Sequence, residues 1–543
     1  MSQQLITHTI DDALAREPDR VWASYAISSD IQKDGLRDVT IAQLAKAVDR
    51  LAWHIDSTIG KSTTFETLGY IGLPDVRHMM LLLAAVKTGY KVLFFSHFNS
   101  VPFSLSLCEK TDCSTLFYSE GVDAIVNPLL QAKPMKQVLV PKLDDLLVDN
   151  DSEPLKPYPY NRSFTQGIDD PVTVFHTSGT TGFPKPVVHT QRSFYVYSKW
   201  NLVPDIDGRP SADRLLRQTR RTLLTIPMYH SGGILYPFME AFYRNKSLVL
   251  FPPLLGRIPS TTFEQMFQYA DFDCLIGVPV YMEMIAKSPQ MLQSLADKVA
   301  VIIFIGGALS SQIGSELSSR ARVLSQYGTS ESGPVFNHVT DPQDWDWLCI
   351  NEERGGLRWD PYKVQGLDNV YELSFIRTPQ TEKIHHAWWH TDCRDVFHTN
   401  DLFIKHPTKK HHWKFYARKD DMIVTKFAWN VNPAFVEHII GQHPAIKHVV
   451  VGGMGRMHIC ALFELVDPDA APADEVLQNI IRPLVQKSNA IADQGGQLAM
   501  ERVLLSHKDK PFLLAGKVNV QRAATLKLYE KEIEDMYARL GED

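Results

Sequence analysis

Apolar residues near the amino-terminal end recur at spacings typical of helices that pack on a sheet. Between 41 and 55 the sequence IAQLAKAVDRLAWHI has apolar residues at helical intervals, and Thr40 stands where an N-cap is expected. Residues 78–96 predict a buried helix, a stop at Gly89 and then a strand. Helix and strand signals alternate over most of the length, which predicts an α/β fold.

Three short β-prone runs continue this pattern at 221–230, 246–253 and 298–307. Each ends in Gly, Pro or polar residues, which is typical of strands covered on both faces by helices. We therefore expect doubly wound, layered α/β units in the large part of the chain. The stretch 141–170 contains many Asp and Pro residues and is predicted to be a surface connection.

A smaller unit is predicted after residue 416. It contains a clear strand at 448–453 and a closing charged helix, LKLYEKEIEDMYARL. A chain of 543 residues is also too long for a single hydrophobic core. We expect a large N-terminal core over 1–416 and a small α+β C-terminal domain over 417–543.

Composition narrows the class of protein. Apolar residues make up 44% of the chain and charged residues 22%, as in ordinary globular proteins, and the net charge of -6 does not favour nucleic-acid binding. No apolar stretch approaches the roughly 20 residues of a membrane span, and the polar start lacks the apolar centre of a signal peptide. The six cysteines show no paired spacing. We expect a cytoplasmic protein without nucleic-acid or membrane partners.

The strongest chemical signal is HTSGTTGFPKPVVHT at 176–190, which follows a β-prone run. Backbone N–H groups and hydroxyls in such a loop can surround polyphosphate oxygens, and Lys185 adds a point charge. The nucleoside triphosphatase pattern G-x-x-x-x-G-K-[ST] does not fit this string. The alternative is a flexible surface turn.

This string resembles the phosphate loop of the acyl-adenylate-forming enzymes, which include acyl-CoA synthetases, luciferases and the adenylation domains of nonribosomal peptide synthetases. Six further motifs resemble those of the family and occur in the family's order. They are IPMYHSGGI (226–234), FIGGALS (304–310), QYGTSESG (326–333), FHTNDLF (397–403), YARKDDMIV (416–424) and LLAGKVNVQR (513–522). The resemblance implies a large adenylate-forming domain and a small, mobile C-terminal domain.

The resemblance also implies roles for individual residues. Glu331 would hold magnesium, for which oxygen ligands are suited, and Lys517 would reach the carboxylate and α-phosphate during adenylation. Asp420 would be the hinge between the domains. His230 and Lys185 complete the expected catalytic set. The residues expected to contact ATP or AMP are Thr177, Ser178, Gly179, Thr180, Thr181, Gly182, Gly307, Ala308, Tyr327, Gly328, Thr329, Ser330, Asp401 and Arg418.

The segment 226–234 gives the first information about the acid. In the family His230 would border the acyl pocket, although a core histidine with satisfied hydrogen bonds is the alternative. The segment has no Asp, and a buried ammonium without a partner would be costly, so an amino acid is disfavoured. The expected pocket residues are Tyr229, His230, Val278, Tyr281, Gly306 and Val335.

Two positions depart from the family pattern. Asn400 and Ala417 stand where the family commonly has Gly. Asn tolerates unusual backbone angles, so we expect the turn at 400 to be retained. These departures motivate a second hypothesis, a catalytically silent adenylate-binding module.

Segments 36–40, 89–100 and 107–113 resemble the N-terminal part of fungal synthetase-like reductases, which join adenylation, carrier and reductase domains. This resemblance implies ATP-dependent activation of an aryl acid, with pyrophosphate release and transfer to a phosphopantetheine thiol. Because the closing motif lies near the chain's end, we expect the thiol on a downstream carrier domain. The alternatives are a free-standing acyl- or aryl-CoA ligase and a synthetase ending in a thioesterase.

Overall fold

The structure is a computed structural model. It describes residues 3–148, 155–177, 185–307, 309–364, 367–385, 387–389, 395–426, 430–490, 492, 496–514 and 520–542. Within these ranges, no helix is both long enough and apolar enough to cross a membrane.

Strands and helices alternate through the first 335 residues, as the hydrophobic pattern predicts. The strands are β1 Val21–Ala26, β2 Leu36–Thr40, β3 Thr67–Ile71, β4 Lys91–Phe94, β5 Thr115–Tyr118, β6 Lys136–Leu139, β7 Pro171–Thr177, β8 Lys185–Thr190, β9 Arg221–Leu224, β10 Ser247–Leu250, β11 Cys274–Gly277, β12 Val301–Ile305, β13 Arg322–Gln326, β14 Gly328–Thr329, β15 Gly333–Pro334, β16 Leu348–Cys349, β17 Leu357–Pro361, β18 Val370–Ile376, β19 Val396–Lys405, β20 His412–Arg418, β21 Ile423–Val424, β22 Asn430–Val431, β23 Ile446–Gly452, β24 Cys460–Leu465 and β25 Val503–Leu505.

The α-helices are α1 Ile6–Arg16, α2 Ile31–Asp34, α3 Ile41–Ile59, α4 Arg77–Lys87, α5 Val101–Lys110, α6 Asp123–Ala132, α7 Leu143–Leu146, α8 Phe164–Gly167, α9 Gln191–Tyr195, α10 Ala212–Leu216, α11 Ser231–Phe238, α12 Ser260–Tyr269, α13 Pro279–Lys287, α14 Pro289–Lys298, α15 Ser311–Ser318, α16 Glu352–Gly355, α17 Pro433–Ile440, α18 Ala473–Val476, α19 Arg482–Asn489, α20 Arg522–Leu528 and α21 Glu530–Leu540. Two π-helical turns, Met239–Tyr243 and Leu477–Ile481, continue α11 and α18.

Two mostly parallel sheets form the large domain. One has seven strands in the order β13-β12-β11-β9-β10-β1-β2, and the other has six in the order β6-β5-β3-β4-β7-β8. In each sheet the last strand of this order, β2 or β8, runs antiparallel to its neighbour. The predicted strands at 221–230, 246–253 and 298–307 are β9, β10 and β12, three parallel members of the first sheet.

Helices cover both faces of the sheets, and the layers share their cores. The largest core contains residues of α1, α3 and α4 together with residues from both sheets, such as Trp22 of β1 and Phe94 of β4. A second core lies under α12 to α15, and a third lies under α5 and α6. Apolar side chains therefore point to both faces of each sheet, which explains the short, continuous β-prone runs in the sequence.

Two smaller units complete the molecule. An antiparallel sheet in the order β16-β20-β19-β18-β17 precedes the C-terminal domain. The C-terminal domain contains the sheet β23-β24-β25, with helices α17 to α21. The predicted strand at 448–453 lies in β23, and the predicted closing helix is divided into α20 and α21.

Local signals set the ends of the early helices. The Thr40 side chain accepts from the backbone N–H of Gln43, whose own side chain accepts from the N–H of Thr40, and this capping box begins α3. Gly89 has a φ of 83° and follows α4, where a left-handed residue ends a helix and redirects the chain into β4. Both predictions are confirmed.

The prediction of a surface connection at 141–170 is only partly correct. Leu146 and Tyr158 are buried, and the Arg50 guanidinium donates hydrogen bonds to the carbonyls of Leu146 and Val148. This segment therefore packs against α3 rather than lying free over the surface. Periodicity cannot reveal such packing, because the buried residues are few and lie among Asp, Pro and other polar residues at no regular spacing.

An ionic cluster is buried beside β9 and β10. Glu240, in the π-helical turn, lies 2.5 Å from Lys246 Nζ, and its carboxylate also pairs with Arg244. Arg244 Nε in turn donates to Asp213 at 2.8 Å. Burial opposes ionisation, but Lys246 and Arg244 hold the pKa of Glu240 at about 2, so these charges neutralise one another within the core.

Candidate functional site

Most of the predicted site residues lie at or just after the carboxyl ends of the parallel strands, where ligands bind in open α/β sheets. Asp401 and Arg418 come from the antiparallel five-stranded sheet. In the six-stranded sheet, Thr177 ends β7 and is the register partner of Lys185, the first residue of β8. The predicted phosphate loop therefore joins two adjacent strand ends. Its residues Ser178, Gly179, Thr180, Thr181 and Gly182 lie outside the described residues.

The motif QYGTSESG forms a tight hairpin after β13. Strands β14 and β15 pair Thr329 with Gly333, and Thr329 Oγ1 accepts from the backbone N–H of Ser332 at 3.0 Å. A side chain on Gly328 would place its Cβ 2.7 Å from the carbonyl oxygen of Gly333, so this position requires glycine. Glu331 lies at the tip of the hairpin and is partly exposed.

A buried histidine links this hairpin to the strand that follows the phosphate loop. His189 Nε2, on β8, lies 2.8 Å from the carbonyl oxygen of Ser330. Because a carbonyl can only accept, Nε2 donates, and burial lowers the pKa of His189 to about 4, which keeps the ring neutral. This residue is not among the predicted site residues, although it belongs to the string HTSGTTGFPKPVVHT.

Three of the predicted nucleotide-binding residues meet in one cluster. The Tyr327 hydroxyl donates to Asp401 Oδ2 at 2.5 Å. Arg418 Nε lies 3.1 Å from Asp401 Oδ1, and the two residues are register partners on β19 and β20. The Tyr327 ring packs edge to face on Phe403, with ring centroids 5.0 Å apart. The fold thus brings Asp401 and Arg418 together with Tyr327, although they follow it by 74 and 91 positions in the chain.

Burial is the main influence on the pKa of Asp401, whose side chain is 2% exposed. It raises the pKa of Asp401 to about 6, although Arg418 and the Tyr327 hydroxyl favour the carboxylate. The preceding residue, Asn400, has a φ of 57°, the left-handed conformation that Gly adopts readily, and it lies inside β19 where the register with β18 shifts. The unusual backbone angle expected at Asn400 is therefore present, but in an irregular strand and not in a turn.

The predicted hinge begins at the same cluster. Arg418 Nη2 lies 3.5 Å from Asp420 Oδ2, so the guanidinium bridges the buried Asp401 and the segment that leads into the C-terminal domain. Ala417 is buried and makes register contact with Leu402. Lys517 lies outside the described residues, as does Ala308, and the flanking residues Leu514 and Val520 form an antiparallel bridge.

The expected pocket residues lie in three places. Tyr229 and His230 follow β9, and their rings are in contact with centroids 4.6 Å apart. After β11 and β12, Val278 Cγ1 lies 3.9 Å from the position of a Cβ on Gly306, which has a φ of 85°. The remaining two residues, Tyr281 and Val335, pack in hydrophobic cores. Gly307, which is expected to contact the nucleotide, lies beside Pro279.

The first of these two residues is Tyr281, which stacks on Phe263 at 5.1 Å beneath the seven-stranded sheet. The second is Val335, which is 3% exposed and packs with the apolar side chains of the five-stranded sheet. Pocket roles for all six residues stay predictions.

The described residues form no metal site made of protein ligands alone. No group of three His, Cys, Asp or Glu side chains stands close enough to hold an ion there. His385 bonds to the carbonyl of Gly355 and packs on Phe375, and His398 bonds to Ser374. A single carboxylate such as Glu331 suits Mg²⁺, which is commonly bound by one or two carboxylates together with substrate phosphates.

The layered core, the small C-terminal domain and the polar residues gathered at the strand ends define a two-domain, nucleotide-using enzyme. The family of AMP-binding enzymes matches residues 10–351, and the AMP-binding enzyme C-terminal domain matches residues 420–541. The chain belongs to the AMP-binding enzymes, which adenylate acids with ATP. The predicted family and fold class are confirmed, and the boundary after residue 416 stays a prediction.

Curated relatives are larger than this chain. The carboxylic acid reductase of Neurospora crassa is 29% identical over 98% of the chain and 51% of the relative. The isocyanide synthase-NRPS hybrid crmA of Aspergillus fumigatus is 30% identical over the whole chain and 34% of the relative. The adenylate-forming reductase Nps10 of Heterobasidion annosum is 28% identical, over 96% and 49%. The chain thus spans a third to a half of these proteins.

Solved structures show the same fold. The O-succinylbenzoate coenzyme A synthetase MenE of Bacillus subtilis, in complex with AMP, superposes with a TM-score of 0.67, covering 96% of this chain and 98% of that one. The sequences are 16% identical, so this likeness concerns the fold alone.

Proposed function

We propose that this chain activates an aryl carboxylic acid with ATP and then transfers the acyl group to a thiol. The carboxylate attacks the α-phosphate of ATP, forming acyl-AMP and releasing pyrophosphate. The thiol then attacks the acyl carbon, forming a thioester and releasing AMP. The observation that carries this proposal is the cluster of Tyr327 and Arg418 around the buried carboxylate of Asp401, which joins three of the seven motifs.

The cluster suits the ribose of ATP. Asp401 Oδ1 is buried and accepts no hydrogen bond from the described residues, although Arg418 lies nearby. A carboxylate oxygen in this state can accept from a ribose hydroxyl. Tyr327 and Arg418 hold the carboxylate in place, and the φ of Asn400 directs the strand so that Asp401 points inward. Asp401 is therefore the proposed ribose-binding residue.

The phosphates would lie between Lys185 and Glu331. His189 fixes the hairpin that carries Glu331 against the strand that begins with Lys185, so the cation and the carboxylate are held on connected elements. When bound to Glu331 and the phosphates, Mg²⁺ would offset the charge that develops on the leaving pyrophosphate. Lys185 contributes a further positive charge that neutralises phosphate oxygens.

The C-terminal domain would supply Lys517. Its ammonium would neutralise the carboxylate and the α-phosphate as they approach, and removing one such donor typically costs about 10²–10³ in rate. Rotation about Asp420 would then withdraw Lys517 and admit the thiol. The contact of Arg418 with both Asp401 and Asp420 supports this, because it connects the nucleotide site to the proposed hinge.

The acid would enter beside Tyr229 and His230. This region is aromatic and lacks a carboxylate between Ile226 and Ile234, so an aryl acid fits better than an amino acid. The proposed thiol is the phosphopantetheine of a carrier domain, as in a synthetase-like carboxylic acid reductase. The names of the reductases from Neurospora and Heterobasidion support this context.

Acid-dependent ATP–pyrophosphate exchange tests the first step. We expect exchange with one or more benzoic or cinnamic acids, and a loss of about 10²-fold or more in Lys517→Ala. Lys508→Ala is the matched control, because Lys508 is an exposed lysine of the same domain. Exchange that persists in Lys517→Ala, or that requires an amino acid, would contradict the proposal.

The thiol partner needs a separate assay. We expect AMP release to depend on a phosphopantetheinylated carrier domain and to remain slow with coenzyme A alone. Equal rates with both thiols would favour a free-standing ligase. ATP binding without exchange for any acid would favour the silent module.

A further inference from the structure

The turn that follows β4, residues 96–99, carries a buried amide without hydrogen bonds. Both side-chain atoms, Asn99 Oδ1 and Nδ2, are buried, and within the part of the chain that the structure describes neither has a hydrogen-bond partner. Buried side-chain amides are nearly always paired, so this amide calls for an explanation. It offers two donors and one acceptor to a group that enters from outside the protein.

A second polar atom in the same turn is also available. His97 Nε2 lies 2.7 Å from the carbonyl oxygen of Gly72, and because a carbonyl only accepts, Nε2 carries the proton. Burial lowers the pKa of His97, so the ring is neutral at neutral pH and Nδ1 is an acceptor. No hydrogen bond to Nδ1 is formed by the described residues.

The turn touches the segment expected to border the acid. The His97 ring packs edge to face on Tyr229 with centroids 5.5 Å apart. Tyr229 contacts His230 in turn. The two segments follow the carboxyl ends of β4 and β9, which belong to different sheets. The turn with His97 and Asn99 thus lies at the carboxyl end of a parallel strand, where ligands of α/β sheets bind.

We infer that His97 and Asn99 form the polar end of the acid pocket and select an aryl acid that carries a ring hydroxyl. The hydroxyl would donate to His97 Nδ1 and accept from Asn99 Nδ2, which gives each of these two atoms a partner. Neither side chain carries charge, so a neutral hydroxyl fits better than a second carboxylate or an ammonium. This inference rests on the proposed function and adds the substituent on the acid.

Exchange kinetics with paired acids test the inference. For the wild type we expect kcat/KM to be about 10²-fold or more higher for one hydroxybenzoic or hydroxycinnamic acid than for its unsubstituted parent, because a site built to bond a hydroxyl rejects an analogue without it. His97→Phe keeps the ring contact with Tyr229 but removes the acceptor. Asn99→Leu keeps the approximate shape but removes the amide.

Each variant should lower kcat/KM for the hydroxy acid by about 10- to 100-fold, while kcat/KM for the parent acid should stay nearly unchanged. ATP binding measured by calorimetry should be retained, which shows that the variant is folded. If Asn99→Leu fails to fold, Asn99→Asp, which removes the donor at constant size, carries the same expectation.

Four results would overturn the inference. The wild type could show equal kcat/KM for the hydroxylated and the parent acid. Both variants could lower kcat/KM for the two acids by the same factor, which would indicate a structural role only. If the wild type exchanges with no acid at all, the proposed function fails and this inference fails with it. Exchange with parent acids alone contradicts the inference but leaves the proposed function standing.

Discussion

Replacing Tyr327 by Phe tests whether Asp401 binds nucleotide as a carboxylate. The change removes one atom, the hydroxyl oxygen that donates to Asp401 Oδ2 at 2.5 Å. The ring contact with Phe403 is retained, and the ion pair with Arg418 remains. Because the Asp401 side chain is buried, water does not readily replace the lost donor.

The magnitude follows from the bond that is lost. A hydrogen bond to a charged group contributes about 1.5–3 kcal/mol, and one pKa unit corresponds to about 1.4 kcal/mol. The substitution should therefore raise the pKa of Asp401 by roughly one to two units. From its value of about 6, it would move to roughly 7–8. At pH 7 half or more of the variant would carry a protonated Asp401, which is a weaker acceptor for the ribose.

The assay is the KM for ATP in pyrophosphate exchange between pH 5.5 and 9. The wild type should lose ATP affinity as the pH falls below about 6, and Tyr327→Phe should lose it below roughly 7–8, with little difference between them at pH 9. Tyr269→Phe, at an exposed tyrosine of α12, is the control. An unchanged midpoint, or a loss of affinity that is equal at every pH, would refute the role assigned to Asp401.

Three further changes probe other parts of the molecule. Glu240→Gln leaves Arg244 and Lys246 with an uncompensated buried charge and should lower the free energy of unfolding in urea by about 3–5 kcal/mol; a loss below about 1 kcal/mol would contradict the network. In the wild type this contribution is present above the unfolded pKa of 4.5 and is lost as the pH falls through about 2, because the folded pKa is lowered. His189→Phe frees the hairpin that carries Glu331, so the Mg²⁺ concentration needed for half-maximal exchange should rise about 10-fold while acid KM stays constant; a change in both would indicate a general folding defect. Asn400→Gly should be tolerated, whereas Asn400→Val should lower the melting temperature, since a β-branched residue is strained by about 1–2 kcal/mol at a φ of 57°; equal melting temperatures would contradict this account.

Local features of the fold could be predicted because each depends on a few neighbouring residues. The capping box of Thr40 and Gln43, and the glycine stop at Gly89, act within one helical turn. The order of strands in the two sheets could not be predicted, because it depends on long-range contacts. The buried cluster around Glu240 was also missed, since its charged residues are separated in sequence and resemble ordinary surface residues.

The sequence predicts a nucleotide site from motifs in a fixed order, and the structure brings Tyr327, Asp401 and Arg418 of three motifs together. Their roles toward nucleotide stay predictions. The residues that would line the acid pocket follow no such order, and the pocket roles of Tyr281 and Val335 stay predictions. In the structure Tyr281 stacks on Phe263, and Val335 packs with the five-stranded sheet. Proximity in sequence does not determine which side of a strand end faces a ligand.

His97 and Asn99 are residues that were not predicted from the sequence but that the structure brings to attention. Segment 89–100, which contains them, contributed to the family resemblance but pointed to no role for either side chain. Their proposed role arises from two incomplete hydrogen-bond sets in one turn, whose His97 ring the fold packs on Tyr229. A motif identifies groups that act on what all substrates of a family share, here the nucleotide. Groups that distinguish one acid from another must differ between enzymes that share those motifs, so they are found by accounting for buried polar atoms and not by pattern. The substrate of this enzyme is therefore best sought through the Asn99 amide and the His97 Nδ1 atom, which have no hydrogen-bond partner among the described residues.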